Sequence, residues 1–175
     1  MDDPRYPIGR YAWPAAVSAA DRAGWLLELA AAPAALREAV EGLADEQLDT
    51  PYRDGGWTVR QLVHHVADSH MNAYVRLKLA LTEDGPTIKP YDEARWAELA
   101  DSALPIEPSL RLLDALHERW VAVLRALGPG DHGRVVHHPE HPAPMSVDRL
   151  TALYAWHGRH HVAHVTGLRE REGWQ

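Results

Sequence analysis

Apolar and polar positions alternate with a helical period through four long stretches of the chain, separated by segments rich in Pro, Gly and Asp. The first runs from DRAGWLLELA into AAPAALREAVEGL, with Ser18 as N-cap and Asp21 three residues on. Pro33 lies inside it and is expected to kink or divide the helix. DEQLDTPYRDGGW follows as a loop. Thr58 and Gln61 then form a T-x-x-Q capping box, which sets a long helix from about Val59 to Thr82. The connection PTIKPYDEARWAELADSALPIEP carries four prolines and a short helical turn around Glu93–Leu99. Its Tyr91 and Trp96 imply that it packs down. A third helix is expected to start at a Ser109 cap and stop at Gly128, and a fourth to run from a Ser146 cap to near Gly173. Between them RVVHH reads as a short extended piece. Four helices of roughly 20 residues and no strand ladder predict an all-α four-helix bundle with long connections. The long connections leave room for non-sequential packing.

Length and composition add limits. The chain has 175 residues, which fits a single domain over 1–175. It has no cysteine, so a metal site would rest on His and carboxylate ligands. Its 25 acidic residues outnumber 18 basic ones, and no basic stripe is visible, so nucleic acid is not the expected partner. No apolar run approaches the roughly 20 residues of a membrane span, and the N-terminus has no signal-peptide pattern. The expected setting is the cytoplasm, with no membrane partner.

Histidine is the unusual residue. The chain holds 12, and four fall in WHGRHHVAH at the centre of the fourth helix. At about 100° per residue, His157, His161 and His164 lie at roughly 0°, 40° and −20°, within the stripe of Leu150, Leu153, Tyr154, Val165 and Leu168. His160 sits near −60°, at the edge. His157 and His161 are one turn apart and can chelate one ion from a single face. Three inward imidazoles repel one another if charged and need partners if neutral, and a divalent cation resolves both. Another helix must complete the site. On the second helix, His65 lies at the margin of the stripe Val59, Leu62, Val66, Ala73, Leu77 and Ala80, and His64 points roughly the other way. His70 lies on the opposite margin and is a close rival to His65. A surface or interface role is the plain expectation for His64 and His70.

These residues carry a resemblance. A tryptophan-led cap, a second-helix histidine followed by V-x-D-S, and H-x-x-x-H on the last helix are similar to the DinB superfamily. More narrowly, the chain resembles its YfiT-like branch, described as metal-dependent hydrolases. The matching stretches are YPIGRY, PYRDGGWTVRQLVHHVADSHMNAYVRLKLALTEDGPTIKPYDE, the HPE at His138–Glu140, and YAWHGRHHVAH, spread over nearly the whole chain. The resemblance implies a DinB-type four-helix bundle, commonly a homodimer, with nickel or zinc held by His65, His157 and His161. His164 occupies a place where many members carry a polar Gln near the site, and is read as a supporting residue.

Three neutral histidines leave an open coordination position, the catalytic arrangement. Such a site permits hydrolysis of a small-molecule substrate by activated water. It also permits S-transfer with a low-molecular-weight thiol, as in thiol-dependent relatives within the superfamily. A third reading is a non-catalytic metal-binding module. As general base the candidates are Asp68, three residues after His65, and Glu140 in the Pro-flanked loop. His137, His138 and His141 form a weaker second candidate site, and Arg159 with His160 flanks the ligands.

Overall fold

Ser18 closes a capping box with Asp21. Its Oγ accepts the Asp21 N–H at 3.1 Å, and Asp21 Oδ2 accepts the Ser18 N–H at 2.8 Å. Helix α1, Ala19–Val40, starts there. The structure is a computed structural model and describes residues 3–140 and 142–174. After a short α2, Asp45–Leu48, the Thr58–Gln61 box starts α3 at Val59 and the helix runs to Thr82, as its sequence predicts. The following connection holds α4, Glu93–Trp96, and a 3-10 turn at Ala100–Ala103. It is packed down, with the Tyr91 and Trp96 rings 4.6 Å apart and Ala97 buried. Helix α5 spans Glu107–Arg125, and α6 spans Val147–Glu172 between the Ser146 cap and a left-handed Gly173.

Two expectations need correction. Pro33 does not divide α1, which runs through it; the carbonyl it leaves without a helical donor finds another, described below. Ser109 is not the cap of α5. With Pro108 in the first turn, the cap falls three residues earlier, at Ile106, and the helix ends at Arg125 rather than Gly128. The Ser109 hydroxyl instead meets His64 Nδ1 at 2.7 Å, and His64 Nε2 lies 3.0 Å from the Leu104 carbonyl. His64 thus points away from the metal candidates but is buried, because the connection after α4 folds over it.

Each of α1 and α3 packs against both α5 and α6, so α1 and α3 face each other across a diagonal. The packing is non-sequential, as the long connections allow. The expected extended piece becomes an antiparallel pair, β1 Val135–Val136 with β2 Met145–Ser146. An adjoining bridge, Ile88 N–H to the His137 carbonyl at 2.9 Å, ties this hairpin to the segment after α3.

The apolar interior falls into two groups. One gathers Leu29, Leu77, Trp120, Val147 and Tyr154; the other gathers Leu36, Leu62, Val63, Leu113 and Val165. Along α3 and α6 the groups are separated by the histidines His70 and His157–His164. The bundle therefore sandwiches a polar layer between two apolar halves, and side-chain caps fix where α1, α3 and α6 begin. Thr58→Ala should lower stability by about 1 kcal/mol, since it leaves the Gln61 N–H without its cap, whereas Thr58→Ser should be nearly neutral. Urea denaturation of the metal-free protein measures both.

Candidate metal centre

His157 and His161 project from successive turns of α6. Their Nε2 atoms stand 3.2 Å apart and their rings meet edge-on, with centroids 4.4 Å apart. His65 arrives from α3, its ring centroid 5.5 Å from His157 and 5.1 Å from His161. One ligating atom from each of the three lies within 4.8 Å of the others, and among the described residues no other His, Asp or Glu group of three does so. Nitrogens sharing a tetrahedral zinc stand roughly 3.4 Å apart, given metal–nitrogen bonds of about 2.0–2.1 Å. The α6 pair is close to that spacing, and a ring nitrogen of His65 lies within 4.8 Å of both. The donor set therefore fits a divalent ion.

Electrostatics agree with this fit. Burial pushes the His65 pKa down to about 4. Burial, and then the neighbouring imidazoles, hold His157 and His161 well below the usual histidine value. All three are neutral at pH 7, so their lone pairs are available without displacing a proton.

The three histidines line a cavity of about 380 Å³ whose wall includes Trp57, Arg76, Tyr91 and Trp156. Glu140 lines the same cavity from the loop after β1. Asp68 does not. It is half-buried, and its carboxyl is pushed up by burial and by the nearby Asp101 carboxylate, on a different side of α3 from the cavity. The helical turn that aims His65 at the site carries Asp68 off it.

His164 stays outside the cavity lining, behind His161. Its Nδ1 is 3.5 Å from His161 Nδ1, its Nε2 is 3.3 Å from the Arg5 carbonyl, and its ring lies tilted against Tyr52 with centroids 4.2 Å apart. His160 is less peripheral than its angle implied: it is buried, lines the cavity, and stacks on Trp156 at 4.3 Å. Arg159 is exposed and pairs with Glu28 at 3.2 Å. His137 and His138 do not converge. His138 is buried at the cavity, whereas His137 is exposed beside Gly85, and His141 lies outside the described residues.

His70 overturns its surface or interface expectation. It is fully buried, with Nδ1 2.8 Å from His117 Nε2 and Nε2 3.1 Å from His157 Nδ1. His117 was not singled out by sequence. Its signal was a place among Leu113, Leu116 and Trp120, the buried stripe of α5. Arg76 and Glu93 of the wall were also missed, and Trp57 and Tyr91 were read only as a cap and a packing residue, since no spacing marks the four as a group.

Comparison with known proteins matches this architecture. A protein from Oceanobacillus iheyensis, named "Putative metal-dependent hydrolase", is 52% identical over 170 residues, covering 97% of this chain and 98% of the relative. A Geobacillus kaustophilus protein with the same descriptive name is 52% identical over 175 residues, covering 99% and 98%. The solved structure of YfiT from Bacillus subtilis, described as "a probable metal-dependent hydrolase with an unusual four-helix bundle topology", superposes with a TM-score of 0.95. The two are 49% identical, with 98% of this chain and 99% of that one covered. The model of the DinB superfamily matches residues 28–165. With most of its length matched and its bundle shared, the chain belongs to the DinB superfamily.

Proposed function

We propose that the protein is a metal-dependent hydrolase of small molecules, in which His65, His157 and His161 hold one divalent ion. The observation that carries this reading is the convergence of three neutral imidazoles on the wall of a cavity that a carboxylate also lines. Its full-length relatives bear hydrolase names, which supports the same class. Nickel and zinc both suit three imidazoles.

A divalent ion held there supplies Lewis-acid activation of water and of a substrate carbonyl. The chain supplies the rest. Trp57, Tyr91 and Trp156 give the cavity apolar walls, and the Arg76 guanidinium offers a donor to a carbonyl or anionic group of the substrate. Glu140 acts as the general base, accepting a proton from the attacking water and returning it to the leaving group.

The central test is metal content. Purified protein should carry about one divalent ion per chain, as a three-histidine open site requires. His161→Ala should lose it, and hydrolysis of a panel of small esters and amides should vanish with the ion. An unchanged metal content in His161→Ala overturns the site. Turnover that appears only when a low-molecular-weight thiol is added favours S-transfer instead.

Glu140→Gln should retain the ion and lower kcat by about 10²–10⁴-fold. An unchanged kcat removes Glu140 from the reaction.

Acid should destabilise the metal-free protein in a defined window. His65, His160 and His164 have native values of about 4, lowered chiefly by burial, against an ordinary value of 6.5. As pH falls from 6.5, the unfolded chain takes up protons that the native state refuses, so stability declines until about pH 4. Thermal melts across that range should show a falling Tm. A flat profile means that the imidazoles are not buried neutral.

A further inference from the structure

A neutral imidazole has one N–H and one lone pair, so fixing the role of either nitrogen fixes the other. In α1, Pro33 stands four residues after Leu29 and has no N–H, which leaves the Leu29 carbonyl without its helical donor. His117 Nδ1 lies 2.7 Å from that oxygen. A carbonyl only accepts, so His117 carries its proton on Nδ1 and presents a lone pair at Nε2. His70 Nδ1, 2.8 Å from that lone pair, must then be the donor, and its own Nε2 becomes an acceptor. His157 Nδ1 lies 3.1 Å from His70 Nε2 and takes the donor role. That leaves His157 Nε2 bare.

A second set of donors and acceptors leads to the site from the other side. The Arg5 carbonyl accepts the His164 Nε2–H at 3.3 Å, and His164 Nδ1 then faces the Nδ1–H of His161 at 3.5 Å. His161 Nε2 is left bare as well. The two bare nitrogens stand 3.2 Å apart, and two lone pairs cannot hydrogen-bond to each other. A cation is what they can share.

We propose that His117 and His70 are positioning residues that relay the direction of the Leu29 carbonyl across the bundle to His157, locking it as the Nδ1–H tautomer with Nε2 as the ligand atom. The relay passes through all four long helices: α1 at Leu29, α5 at His117, α3 at His70 and α6 at His157. Its two middle members are 2% and 0% exposed, so water has little access to break the sequence of donors. Gly158 makes room for it. A Cβ there would meet Ala32 Cβ at 3.2 Å and His70 Cε1 at 3.7 Å. This inference rests on the metal-site reading for its purpose but not for its hydrogen-bond logic.

Side-chain proton–nitrogen NMR correlations report histidine tautomers directly, and the metal-free protein at neutral pH is the sample. His117, His70 and His157 should all appear as Nδ1–H. Finding His157 protonated on Nε2 overturns the relay. His117→Leu removes the acceptor for His70, so His70 and His157 should both switch to Nε2–H. Zinc affinity, measured by competition with a chelating dye, should then fall about 10–100-fold. His70→Gln keeps an acceptor oxygen toward His157 and should keep its Nδ1–H form and most of the affinity. A His117→Leu protein that melts earlier yet keeps the His157 tautomer and its zinc affinity reduces His117 to packing and overturns the relay. If His117→Leu does not fold, the wild-type spectrum still decides. Nδ1–H signals in a wild-type protein that binds neither zinc nor nickel support the relay and overturn the metal site, so the two readings fail separately.

Discussion

An imidazole buried between helices must stay neutral, and a neutral imidazole must donate from one nitrogen and accept at the other. Most of this bundle can be understood from that constraint. Seven histidines are buried among the described residues, and five of them, His70, His117, His160, His161 and His164, gather with His65 and His157 in one layer of ring contacts. The ends of the layer are backbone carbonyls, which have no ambiguity about their role. In the proposed relay each N–H donates outward, toward Leu29 on one side and Arg5 on the other, and the last lone pairs meet between His157 and His161.

The helices are arranged to make such a layer possible. A proline in mid-helix normally costs a hydrogen bond and bends the chain. Here the orphaned Leu29 carbonyl is satisfied by a side chain from another helix, so the cost is offset where the layer needs an anchor. Above and below, Leu, Val and Trp fill two apolar halves that are packed without polar partners of their own. The non-sequential order of the bundle matters too. Because α1 and α3 are diagonal, α5 stands between them, and His117 can hand its orientation from one to the other.

How much of this the sequence revealed depended on whether a feature was local. Capping boxes at Ser18 and Thr58 and the cap at Ser146 involve residues three apart, and the helices begin where those residues say. The inward direction of His157, His161 and His164 follows from the period of α6 alone. Selection of His65 came from a helical angle together with the family resemblance, and the structure brings a ring nitrogen of His65 within 4.8 Å of ring nitrogens of His157 and His161. Non-local features escaped. Ser109 looked like a cap because an apolar run follows it, but its partner is His64, 45 residues away. His64 and His70 looked free because their partners, Leu104 and His117, come from elements whose placement no local pattern encodes. Asp68 is three residues from His65 in sequence, yet a helix turns about 300° over that interval and puts the two in different surroundings.

The layer also links stability to occupancy. In the proposed relay the Nε2 lone pairs of His157 and His161 face each other 3.2 Å apart, with no hydrogen bond between them to offset their desolvation. An ion that binds only the native state stabilises it in proportion to the logarithm of its concentration over the dissociation constant. The binding energy of the ion is therefore partly relief of a repulsion that folding creates. A relay with fixed ends keeps that repulsion in place, because neither imidazole can turn its proton inward without breaking a bond to its outer neighbour. Affinity at the site and rigidity behind it are then one property. It is set by the outer carbonyls and their relays as much as by the ligands that touch the ion.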